Sequence, residues 1–85
     1  MQEKEIGKIT HYFGKVSAGI IELTDSLKAG DTIHLKGAHT DFTQVVESMQ
    51  VEHESIQEAK AGDAVGIKVK DRVHPNDKVY KLTEE

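Results

Sequence analysis

Apolar and polar residues alternate along most of this chain, which is the two-residue period of strands that bury one face. The alternation predicts strands at residues 5–13, 16–23, 32–36, 43–54, 64–70 and 78–82. Ile33 and Leu35 point inward in the third strand; Val65, Ile67 and Val69 do so in the fifth, leaving Gly66, Lys68 and Lys70 outside. In the first strand Ile9 and Phe13 share a parity that Ile6 does not fit. The second strand changes parity between Ile20 and Ile21, which predicts a bulge or barrel corner. The fourth, the longest, changes parity from Val46 to Met49 and Val51 and carries an acidic outer face.

The connections repeat. Lys28-Ala29-Gly30-Asp31 and Lys60-Ala61-Gly62-Asp63 each precede an alternating run, and His74-Pro75-Asn76-Asp77 is a looser third copy. Glycine takes the positive φ of a tight turn, asparagine tolerates it, and the aspartate side chain bonds back to local backbone. Leu27 is expected to tuck inward ahead of the first copy. Ser55-Ile56-Gln57-Glu58 reads as a helix capping box, but Gly62 follows so soon that a loop with one turn is expected. The prediction is an all-β fold, a small six-stranded antiparallel barrel over residues 5–82, with residues 1–4 and 83–85 as flexible ends.

With that pattern in place, two resemblances emerge. Leu27 to Asp31, His53-Glu54, Ile56, Glu58-Ala59, Gly62-Asp63, Val65-Gly66 and Val69-Lys70 resemble the β-barrel second domain of translational GTPases such as elongation factor Tu. Thr10-His11-Tyr12-Phe13, Thr40-Asp41-Phe42, Val46-Glu47-Ser48-Met49-Gln50, Glu52-His53 and Asp77-Lys78-Val79-Tyr80 resemble the C-terminal barrel of collagenase-like U-type peptidases. The resemblance implies a standalone, translation-factor-like barrel of the kind otherwise appended to a larger enzyme. It implies neither GTP hydrolysis nor proteolysis. The phosphate loop is missing, because Gly14-Lys15 is followed by valine and Gly7 lies too far upstream, and the peptidase catalytic domain is not in this sequence.

Composition narrows the function classes. At 85 residues this is one domain, and its formal net charge of −4 opposes the uniformly positive field of a non-specific nucleic-acid binder, so DNA is not an expected partner. It has no cysteine, no signal-peptide-like start and no apolar run of membrane-spanning length, so a cytoplasmic chain with no membrane contact is expected. The five histidines lack metal-ligand spacing, His34 and His39 being the pair to inspect first. Gly14 to Gly19 places its serine one position late for a nucleophile elbow, and Glu47, Glu52 and Glu54 read as a solvated strand face. No catalytic residue, cofactor or metal is therefore assigned, and an enzyme is not expected.

Two contact surfaces remain. His39, Thr40, Asp41 and Phe42 form a loop on a rigid barrel, suited to docking a larger protein or ribonucleoprotein. Lys68, Lys70 and Arg72 alternate along one strand face and suit phosphates in a row, giving salt-sensitive RNA contact. The resulting expectation is a non-catalytic interaction module, with an RNA-binding accessory factor for translation or RNA modification as the alternative. Oligomeric state is not legible in the pattern.

Overall fold

The computed structural model describes residues 2–52 and 54–83, so His53, which figures in both resemblances, lies outside the described residues, as do residues 1, 84 and 85. The fold is all-β and antiparallel. Its elements are β1 (Gln2–Phe13), β2 (Ala18–Leu23), β3 (Leu27–Lys28), β4 (Thr32–Lys36), β5 (Asp41–Val45), β6 (Met49–Val51), β7 (Glu54–Ile56), β8 (Glu58–Ala59), β9 (Ala64–Lys68) and β10 (Lys78–Thr83). Eight strands form one curved sheet in the order β5-β4-β10-β1-β2-β9-β6-β7, and β3 pairs with β8 beside it. The sheet wraps into a barrel-like shape without closing its backbone ladder.

Several expectations are corrected in detail. The anticipated long fourth strand is broken: Val46 is buried, Glu47 and Ser48 turn outward, and the run becomes β5, β6 and β7. The 55–58 segment forms no helical turn; it supplies β7 and β8. The longest strand is β1, which begins at Gln2, where residues 2–4 pair with Thr83, Leu82 and Lys81.

Both parity puzzles trace to β1. Its register slips between Glu5 and Gly7 against β10, letting Ile6 and Ile9 both reach the core. A second slip, between Ile9 and His11, faces β2. The bulges are therefore in β1, not β2. β2 keeps an unbroken alternation, with Gly19, Ile21 and Leu23 inward and Ala18 and Ile20 on the outer side. Phe13, expected to share the face of Ile9, lies beyond the second slip and is 51% exposed. A Cβ at Gly7 would overlap the Glu22 carbonyl, so the strand crossing needs glycine there.

The core gathers Ile6, Ile9 and Ile21 with Ile33, Leu35 and Val79 from the β4–β10 side, and Val65 and Ile67 from β9. Leu27 is fully buried as expected and stands opposite Ala59 in the small pair, plugging one end. The three repeated turns are built alike. Gly30, Gly62 and Asn76 have φ of 97°, 95° and 75°. In each, the aspartate carboxylate accepts from the N–H three residues back: Lys28 to Asp31 at 2.9 Å, Lys60 to Asp63 at 3.1 Å, His74 to Asp77 at 2.8 Å.

Candidate functional site

The β4–β5 loop owes its shape to a glycine and a buried acid. The Gly37 N–H donates to the Thr40 carbonyl at 2.7 Å, closing a tight reversal between the strands. Asp77, only 4% exposed, packs against Gly37 so closely that a Cβ there would overlap its carboxylate. The same carboxylate holds the His74 N–H, which ties the third turn to the loop. Thr40 is buried, and its hydroxyl lies 3.2 Å from Nδ1 of His74.

Between the loop and the segment after β9 lies a cleft of about 600 Å³, lined by residues 37–42 with Asp71, Arg72 and His74. Phe42 packs on the core from one side, and the Lys70 ammonium stands 5.9 Å from its ring centroid. The two surfaces read separately from the sequence thus meet in space. Their members differ in role. His39, Asp41, Lys70 and Arg72 are exposed, whereas buried Thr40 supports the loop rather than presenting itself. The expected basic row does not continue, because β9 ends at Lys68; Lys68 lines other concavities, and only Arg72 lines this cleft.

The histidines also sort differently from expectation. His34 and His39 do not come together; the His39 ring meets that of His74, with centroids 6.0 Å apart. His34 instead sits between two acids, with Nδ1 2.8 Å from Glu3 Oε2 and Nε2 2.5 Å from Asp41 Oδ1. Ionised carboxylates accept only, so both contacts are hydrogen bonds at once in the doubly protonated, imidazolium form of the ring. The Asp41 hydrogen bond chiefly raises the His34 pKa above its ordinary 6.5, burial opposes this, and Glu3 adds to the rise. No sequence spacing announces this arrangement, since Glu3 lies across β10 from His34. No group of three metal-ligating side chains converges among the described residues.

A second concavity, about 690 Å³, lies on the outer side of β2, β9 and β6. Phe13, Val16, Ala18 and Ile20 give it an apolar wall, and Gln50 and Glu52 are among its polar residues. Val16 is 64% exposed at the β1–β2 turn. Sequence reasoning missed this wall by assigning Phe13 to the core and a bulge to β2.

Against known proteins, no protein-family profile matches the chain. It is 43% identical over 81 residues to an uncharacterized protease of Methanocaldococcus jannaschii, covering 94% of this chain and 20% of that protein. It is 32% identical over 83 residues to a collagenase of Porphyromonas gingivalis, covering 95% of this chain and 23% of that one. The chain thus spans about a fifth of the length of the curated relatives it matches. Among solved structures it superposes on the C-terminal domain of a putative U32 peptidase of Geobacillus thermoleovorans with a TM-score of 0.88, at 22% identity, over 94% of this chain and 93% of that one.

These findings support the peptidase side of the resemblance and overturn two expectations. The first is a standalone translation-factor-like interaction module, together with its RNA-accessory alternative; the relatives are a protease and collagenases, and the superposed fold is a peptidase's C-terminal domain. The second is that the chain stands apart from enzymes. The same names point to an enzyme family, and the fold superposes on the C-terminal domain of one putative peptidase. The sequence misled because glycine-aspartate turns and apolar alternation are demanded by any small barrel, so they report the fold and not the machine that carries it.

Proposed function

We propose that this chain works as a domain of the peptidase C-terminal type, holding polypeptide for proteolysis carried out by the remainder of such an enzyme. One observation supports it above all: nearly the whole chain, 94% and 95% of it, aligns with a segment making up only 20% and 23% of a protease and a collagenase. Such a match is what a structural unit of a longer peptidase would give. The Porphyromonas relative's name makes polypeptide the natural substrate class. A small barrel with open concavities suits the holding role, because substrate binding away from the reacting bond can be used to lower the barrier to cleavage.

The test is a domain exchange in the Porphyromonas collagenase. Its matching segment is replaced by this chain in one variant and deleted in another, and collagen cleavage is measured alongside thermal melting. The deletion is expected to lower cleavage by about tenfold or more, and the exchange to restore it. A folded exchange variant that does not cleave, or a deletion variant that cleaves at full rate, overturns the reading.

A further inference from the structure

The outer face of β2, β9 and β6 is apolar along one side, and the strand registers give it a direction. Phe13 pairs with Ala18, which pairs with Lys68; one step along, Ile20 pairs with Gly66 and Gly66 with Gln50. A further step brings Glu22 opposite Ala64, with Glu52 two residues past Gln50 on the other side of Ala64. The groove over these rows therefore has Phe13, Val16 and Ile20 along its β1–β2 side, Lys68 at one end and Glu52 at the other. Lys68 and Glu52 are its only charged lining among the described residues, and neither forms an ion pair there. Gly66 sits at the centre with no need of its own to be glycine. Its φ lies outside the positive region, and a Cβ would meet nothing closer than the tip of the Ile20 side chain, at 3.4 Å. A strand glycine that the chain's own packing does not demand leaves room for another backbone to come close.

We propose that this face is a self-complementary interface on which a second copy of this chain docks. A half-turn about an axis along the Ile20–Gly66–Gln50 row lays one face on another with the strands reversed, the arrangement of an isologous dimer. The apolar β1–β2 side of each copy then meets the same side of the other. Lys68 of each copy comes over Ala64 of the other, between the Glu22 and Glu52 that flank it, so one symmetric contact forms twice. Lys8 stands across β1 from Glu22 and offsets part of that charge, which leaves Glu52 as the main partner. Phe13 and Val16, 51% and 64% exposed, stand at the Lys68 end, and the same half-turn lays them along the β1–β2 side of the second copy, next to its Ile20. Apolar surface that a single copy leaves in water is thereby covered. Gly66 lies on the axis, where the two sheets come closest. A wholly acidic or wholly basic partner suits one end of this face; a reversed copy suits both. Such pairing neither requires nor excludes a place in a peptidase.

The test is sedimentation equilibrium of the intact chain from micromolar to millimolar concentration, with ¹⁵N chemical shifts followed over the same range. Expected are a mass that doubles as concentration rises and shifts confined to residues 13–22, 48–52 and 64–68. Lys68→Glu and Glu52→Lys each set like charges against one another in both halves of the interface, and each should weaken self-association by about tenfold or more. Mixed together, the two variants should pair with each other, because each supplies the charge that the other has lost. Both residues are exposed, so both variants should keep the wild-type melt. Lys36→Glu makes the same charge change on β4, away from the groove, and is expected to leave association unchanged. A single-chain mass at every concentration, equal losses in Lys36→Glu and Lys68→Glu, or no pairing in the mixture overturns the proposal. If the chain stays single while gelatin peptides shift the groove resonances, the groove is a polypeptide site and the dimer falls, with the peptidase reading left standing.

Discussion

At the scale of single residues, His34 couples three strands through charge. Glu3 comes from β1 and Asp41 from β5, while the Tyr80 ring on β10 lies 6.3 Å from the imidazole. Because the folded pKa lies above 6.5, the stabilisation is complete below about pH 6.5 and is lost as pH rises through the folded value. Glu3 and Asp41 have side chains 43% and 74% exposed, so solvent screening limits the effect. It should amount to about 0.5–1 kcal/mol, the range of exposed ion pairs. Thermal melts from pH 5.5 to 9 should therefore show His34→Gln less stable than the wild type in acid and converging with it in alkali. A gap of constant size across that range would refute the imidazolium assignment.

At the scale of elements, the three turns separate backbone strain from packing. Gly62 has a φ of 95° with open space where a Cβ would sit, so Gly62→Ala tests the positive φ alone. The expected loss is about 1–2 kcal/mol, the cost of a left-handed conformation for an L-residue. Gly37→Ala should cost more, because its Cβ would overlap the buried Asp77 carboxylate. Denaturant melts of the two variants check the order; equal losses would mean that Asp77 shifts aside freely. These turns were legible in the sequence because each is a local structure, with its aspartate and its glycine or asparagine within four residues. Strand β4 was legible for the same reason, as a short clean alternation bounded by turns. Register was not legible. The two slips in β1 arise from what its neighbours demand, and that hid both the fate of Phe13 and the apolar wall it helps to make. The candidate site was half legible: the 37–42 loop and the Lys70–Arg72 segment could each be read, but their meeting depends on sheet curvature that no local pattern encodes. The family lay further still from the local pattern, since turn chemistry is common to small barrels of many functions.

At the scale of the whole molecule, the open sheet poses the question of what holds its seam. Among the described residues the edge strand β5 has no backbone ladder to β9, and a side chain hydrogen-bonds across the gap. Gln44 on β5 donates from Nε2 to the Lys68 carbonyl at 2.8 Å and accepts the Lys70 N–H on Oε1 at 2.9 Å. An amide thus serves two backbone groups as a neighbouring strand would. Removing it in Gln44→Ala should cost about 1–2 kcal/mol, two hydrogen bonds of ordinary net strength in a solvent-accessible place. Gln44→Glu separates the two bonds, since a carboxylate still accepts from Lys70 but repels the Lys68 carbonyl at neutral pH. Both variants should melt earlier than the wild type. The more telling measurement is amide exchange at Lys70, whose N–H should exchange faster in Gln44→Ala but stay largely protected in Gln44→Glu. If Lys70 exchanges at the wild-type rate in Gln44→Ala, the seam is held by the core and not by this amide; if it quickens, a single glutamine side chain is what lets an unclosed sheet behave as a barrel.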